Sequence, residues 1–203
     1  MTDIEPRLRS MRHLPVEAAA RRAAGRLAAA AESAGLLTVA YTSVDSPVGR
    51  LLVAGTDRGV VTISFAQEGV DSVLEELARL VSPRVLESAA RLEPVRRELG
   101  EYFERRRTDF SLRLDWQLIH GFHVDVLRQT AAIPYGEVRT YKQVARLAGS
   151  PLASRAAGNA LGSNPIPIVI PCHRVVRTGG GLGGYGGGLD KKELLLRLEG
   201  AWL

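Results

Sequence analysis

The chain has 203 residues, 45% of them hydrophobic, with a formal net charge of +5. This is room for one large domain or two small ones with a real core, and the basic excess favours polyanionic partners such as DNA. The single cysteine excludes an internal disulfide and a cysteine-rich structural zinc site. No apolar run approaches the roughly 18 residues of a membrane span, and the N-terminus lacks the basic and apolar regions of a secretory signal. Asp3, Glu5, Glu17 and Glu32 argue against a transit peptide. A reducing, cytoplasmic setting without membrane contact is the expectation.

Residues 1–35 read as a helical extension. Thr2 and Glu5 have capping-box spacing, and Pro15 suits the first position of a second helix that runs through alanines to a stop at Gly35. Such a segment packs, self-associates or lies as a basic arm on DNA. Residues 36–115 read as an α/β domain. Short β-rich runs at 37–41, 50–54 and 60–65 are separated by Asp45-Ser46-Pro47 and Thr56-Asp57-Arg58-Gly59, which predicts an antiparallel meander. Val73, Leu74, Leu77 and Leu80 have helical spacing over 70–81. A second helix is expected over 93–107, its Arg105-Arg106-Arg107 run a solvated end, and one more strand over 110–114.

Residues 116–203 have a different character. Helices are predicted over 122–132, 140–148 and 151–161, with Ser150 as N-cap and Pro151 as first helical residue of the third. The last two form a helix-turn-helix. Ala153, Ser154, Ala156, Ala157, Gly158 and Ala160 leave Arg155 as the one protruding charge, so this helix suits close packing or a nucleic-acid groove. A final helix is expected over 190–198.

Between these helices lies the stretch Pro165 to Val176, which holds the lone Cys172 between Pro171 and His173. Its prolines fix φ, which stiffens the segment. A thiol beside a histidine is the layout of an activated nucleophile, although buried thiols are commonly inert. The loop 179–188 is eight-tenths glycine, with Tyr185 its one large side chain. It matches G-x-G-x-x-G formally, but no strand and acid follow as in a dinucleotide site, and no Gly-Lys-Ser/Thr follows as in a phosphate loop. Bare backbone beside a thiol fits close approach to a ligand.

Pro171-Cys172-His173-Arg174-Val175-Val176 resembles the active-site signature of the O6-alkylguanine-DNA alkyltransferases, or methylated-DNA–protein-cysteine methyltransferases. Ile133 to Tyr141, Asn164-Pro165, Gly184 to Leu189 with Lys192, and Leu198-Glu199-Gly200 extend the likeness. The resemblance implies a ribonuclease-H-like N-terminal domain, an antiparallel sheet with helices, followed by a winged helix-turn-helix-like C-terminal domain. It implies direct repair of O6-alkylguanine, with O4-alkylthymine a further substrate, in double-stranded DNA. The nucleotide would be flipped out of the stack, its alkyl group would pass irreversibly to Cys172, and no metal or other cofactor would be needed. By the same resemblance Cys172, His173, Glu199 and Asn164 are catalytic. Arg155, Tyr141, Ala153, Ser154, Ala156, Gly158 and Arg174 bind DNA, with Arg155 filling the gap in the stack. Val175, Tyr185, Gly186, Gly187 and Lys192 form the substrate pocket. The expected state is a monomer, with residues 1–35 available for self-association.

Three departures stand out. Gly186 occupies a position that is serine in many relatives, Gly121 to Asp125 departs from the usual pattern before the helix, and no cysteine is available for the N-terminal zinc of some relatives. Two rivals remain at this level. One is a sensor that binds alkylated DNA without chemistry. The other is a thiol hydrolase, which would explain Cys172-His173 but not the small-residue helix.

Overall fold

The computed structural model describes residues 19–20, 22–65 and 69–201. The first predicted helix, with its Thr2–Glu5 box, lies outside them. The second is present as a helix over 22–33 (α1), and Gly35, at φ 66°, takes the left-handed turn that ends it. Ala28 is buried, and Arg91 donates to the Leu37 carbonyl at 3.1 Å and approaches Glu32, so α1 is tied to the body of the protein.

Strands β1 (Val39–Val44), β2 (Leu51–Thr56) and β3 (Gly59–Phe65) form the antiparallel meander. A fourth strand, β4 (Val85–Glu87), pairs parallel with β1, so the sheet order is β3-β2-β1-β4 and the sheet is mixed rather than purely antiparallel. The strand expected over 110–114 is a single bridge between Leu114 and Val60, because the chain crosses the edge of β3 without following it. Gly59 permits that crossing, since a Cβ there would collide with the Arg113 carbonyl.

Helix α2 (Val70–Leu80) covers one face of the sheet, burying Leu77 with Val39, Ala54 and Val61. Helix α3 (Glu93–Phe103) lies within the other core cluster through Val95, Leu99 and Tyr102. It ends four residues before the predicted stop. Arg105 takes φ 58°, and Arg107 folds back onto Glu98 and Glu101 rather than extending a solvated helix.

The α3-side cluster continues into the C-terminal helices α4 (Phe122–Ala131), α5 (Tyr141–Leu147) and α6 (Ser154–Gly162), joining both units through one core. Thr140 caps α5 in a reciprocal box with Gln143. Helix α6 begins later than expected. The Ala153 N–H turns back to the Ser150 carbonyl, so Pro151 and Leu152 lie in a turn before the helix. A two-stranded parallel sheet, β5 (Arg139–Thr140) with β6 (Val175–Val176), joins the start of α5 to the cysteine segment, and α7 (Leu189–Leu198) closes the chain.

Candidate active site and nucleic-acid interface

The cysteine segment is fastened to both units. Thr62 and Ile63 of β3 donate to the Pro165 carbonyl at 2.9 and 2.8 Å. Ile168 sits at φ 76°, a conformation costly for a β-branched residue, roughly 1–3 kcal/mol. Full burial of Ile166, Ile168 and Ile170 holds it there. The segment ends in a short 3-10 turn, Cys172–Arg174.

Asn164 organises this turn with one amide group. Its Oδ1 accepts from the Ile166 N–H at 3.0 Å, and its Nδ2 donates to the Ile170 carbonyl at 2.8 Å and to Cys172 Sγ at 3.2 Å. Burial raises the Cys172 thiol above its ordinary value, opposed by the Asn164 hydrogen bond and the Lys192 charge. The resting group is therefore a thiol that needs a base.

His173 is fully buried, with Nε2 3.0 Å from Glu199 Oε1. Burial pushes the Glu199 carboxyl up, but hydrogen bonds from His173 and Arg174 and the Arg174 charge outweigh it and hold the group at about 2. An ionised carboxylate only accepts, so Nε2 carries the imidazole hydrogen. Burial lowers the His173 pKa against the pull of Glu199, which keeps the ring neutral. Its Nδ1 is then a bare acceptor, and among the described residues it has no partner. Glu199 also accepts from Tyr102 at 2.7 Å and from Arg174 Nε and Nη2 at 2.8 and 2.9 Å.

The glycine loop forms the other wall. Lys192 is fully buried and donates from Nζ to the Val175 and Gly184 carbonyls, tying β6 to the loop, and burial lowers its pKa to about 8. A Cβ at Gly187 would lie 2.6 Å from the Phe65 ring, and one at Gly183 2.6 Å from the Tyr141 hydroxyl. A side chain at either would push these rings aside, and Gly183 also takes φ 72°, a conformation that favours glycine. Gly186 is different, since a Cβ there meets only the Gly162 carbonyl at 3.7 Å, so a serine would fit. Tyr185 sets its ring edge-on to His173 and Phe65, and its buried hydroxyl has no partner among the described residues. Burial above all, with the Glu199 charge nearby, raises its pKa well above the ordinary value, so it remains a donor.

A cavity of about 340 Å³ contains Cys172, Asn164, Tyr185 and Gly186 and reaches β3 and α2. A second, wider opening of about 660 Å³ lies over Tyr141, Arg155, Gly158 and Arg177. The two adjoin, sharing Leu161, Gly162, Tyr185 and Gly186, so the face of α6 and the thiol cavity are built around the same residues. On α6, Arg155 and Ala156 are exposed, Ser154 and Gly158 are partly so, and Ala157 and Ala160 are buried. The outward face thus has little bulk beside one arginine. The Tyr141 ring lies over Gly158, 3.8 Å from where a Cβ would stand, which is ordinary van der Waals contact.

Comparison with known proteins matches this arrangement. Residues 39–116 match the ribonuclease-like domain, and residues 121–201 the DNA-binding domain, of 6-O-methylguanine DNA methyltransferase. The chain belongs to this methyltransferase family. A methylated-DNA–protein-cysteine methyltransferase of Mycolicibacterium paratuberculosis is 40% identical over 163 residues, covering 79% of this chain and 92% of the relative. One from Methanosarcina barkeri is 39% identical over 160 residues, covering 78% and 96%. The crystal structure of Mycobacterium tuberculosis O6-methylguanine methyltransferase superposes with a TM-score of 0.69 at 34% identity, covering 82% of this chain and 95% of that one. A Mycobacterium tuberculosis relative solved in complex with DNA gives the same TM-score, covering 80% and 93%.

Within this methyltransferase fold, the sequence expectations fare unevenly. Cys172, His173, Glu199 and Asn164 come together, as do Val175, Tyr185, Gly186, Gly187 and Lys192 around them. Arg155, Tyr141, Ser154 and Gly158 line the opening. Arg174 is the correction. It is expected at the DNA, but it is buried, its guanidinium committed to Glu199 and the Ile133 carbonyl. A charge already paired inside the core has no reach to a phosphate. Tyr102 is the residue sequence reasoning missed. Its spacing with Val95 and Leu99 marks a core face, and a buried tyrosine needs a partner for its hydroxyl, but nothing local names Glu199.

Proposed function

We propose that the protein repairs O6-alkylguanine in double-stranded DNA by moving the alkyl group onto Cys172, once per molecule. The observation that carries this is a thiol backed by Asn164, His173 and Glu199 in a cavity that adjoins the small-residue face of α6. In this reading Arg155 enters the stack while the damaged nucleotide swings past Tyr141 into the cavity. Flipping costs a few kcal/mol and is easiest for a mispaired base. The groove face offers Ala153, Ser154, Ala156 and Gly158, which let the backbone come close.

The thiol proton leaves toward His173 Nδ1, through water where the two do not touch, and Nε2–H···Glu199 stabilises the imidazolium that forms. Sγ attacks the alkyl carbon in line, the carbon–O6 bond breaks, and its electron pair goes to guanine. The Tyr185 hydroxyl, buried and unpaired, donates to O6 as charge develops there. In net terms the thiol hydrogen ends on guanine and the alkyl group on sulfur. A thioether is a poor leaving group, so the protein is consumed.

We place the division of labour at residues 36–115 and 116–203, with the protein acting as a cytoplasmic monomer and residues 1–35 as an accessory segment. The test is a time course with alkylated duplex in excess. Restored guanine should plateau at the amount of protein present. Continued turnover, or binding without repair as for a sensor, would contradict the reading.

A further inference from the structure

The wide opening carries two arginines and no carboxylate among its lining residues. The role proposed above uses one of them, Arg155. The other, Arg177, is placed by the fold with some care. The parallel pairing of Thr140 with Val176 sets Arg177 beside Tyr141, one residue beyond each partner. Its backbone is fixed by a tight turn, Arg177 N–H to the Gly181 carbonyl at 2.7 Å and Gly180 N–H to the Arg177 carbonyl at 3.1 Å. Gly179 and Gly180 take φ 92° and 88° to make that turn. The stem lies along Gly181, with Cδ 3.6 Å from where a Cβ would stand, so a bare backbone supports the side chain.

Its guanidinium has no acidic partner among the described residues. The side chain is exposed and lines the opening together with Tyr141, on the active-site side of the loop. An unpaired cation at a mouth, braced from below and without competing acids, suits an anion brought by the substrate. A nucleotide entering the opening brings its own phosphates, and phosphate contacts fix register without reading sequence.

We propose that Arg177 is a phosphate anchor, binding the DNA backbone at the flipped nucleotide in the same opening as Arg155. This rests on the alkyl-transfer reading for its substrate. The two arginines then divide the work, Arg155 holding the stack open and Arg177 holding the extruded strand.

The test compares full-length wild type with Arg177→Gln, Arg177→Lys and Arg96→Gln across a salt series, using duplex that contains O6-methylguanine. Arg96, exposed on α3, controls for the loss of one net charge. Losing one phosphate contact lowers the magnitude of the slope of log K against log salt by about 0.9. Arg177→Gln should show that change with roughly tenfold weaker binding at low salt, Arg177→Lys should restore most of the slope, and Arg96→Gln should match wild type. An unchanged slope in Arg177→Gln, or an equal change in Arg96→Gln, overturns the anchor. Methyl uptake by wild type in the same samples separates the two claims, since its absence sinks the alkyl-transfer reading whatever the slopes show.

Discussion

Replacing Glu199 by glutamine tests the centre of the structure most sharply, because shape is kept and one charge is lost. The side chain is fully buried, and Arg174, nearly as buried, meets it through two hydrogen bonds. With glutamine present, Arg174 becomes an uncompensated buried charge, a change that costs about 3–5 kcal/mol. The titration gives a second route to the magnitude. The carboxyl lies at about 2 against an ordinary 4.5, and at about 1.4 kcal/mol per unit this corresponds to about 3 kcal/mol. The folded pKa is depressed, so this stability is fully present above pH 4.5 and is lost as pH falls toward 2. Small domains have roughly 5–15 kcal/mol in all, so the change is large. Urea unfolding of wild type and Glu199→Gln, taken in steps from pH 7 to pH 3, should show a gap of about 3 kcal/mol at pH 7 that narrows in acid. A gap below about 1 kcal/mol at pH 7, or one independent of pH, would refute the reasoning.

The remaining expectations concern chemistry and DNA. Neutral His173 is the base and its pKa is lowered, so the acid limb of the transfer rate should lie below pH 6.5, the ordinary imidazole value; a limb above it in a single-turnover pH profile would exclude this role. The same sign applies to stability, since a histidine buried neutral contributes fully above its unfolded pKa and loses that contribution as pH falls. Asn164→Ala removes the donor to Sγ, and at about 1.5–3 kcal/mol for a hydrogen bond to a charged group the transfer rate should fall about 10–150-fold. Arg155→Ala should slow repair in duplex DNA more than reaction with free O6-benzylguanine, and equal slowing would remove its role in the stack. Deleting residues 1–35 should leave methyl transfer and DNA affinity intact, and a large loss of affinity would show that the segment is a DNA arm.

Legibility followed distance along the chain. Cys172 and His173 are neighbours in sequence, so the pair was visible locally, whereas Asn164 came from the family likeness although its contacts belong to the same turn. Glu199 was reached only through the family likeness, since nothing near it in sequence points to His173. Tyr102 stands 97 residues from Glu199, and the fold alone joins them. Arg174 was misplaced because an arginine carries no mark of burial in its neighbours, and its partner is 25 residues away. The meander was legible from turn chemistry, whereas β4, three residues long, has too little pattern to declare itself. Ser150-Pro151 looked like a helix start. The backbone spends those residues on a turn instead, and α6 begins at Ser154.

The most direct measurement is peptide mapping by mass spectrometry after incubation with duplex containing O6-methylguanine. One methyl group per chain, located on Cys172 and absent in Cys172→Ser, is the predicted result. An unmodified Cys172 beside repaired DNA, or a methyl group on any other residue, would contradict the account.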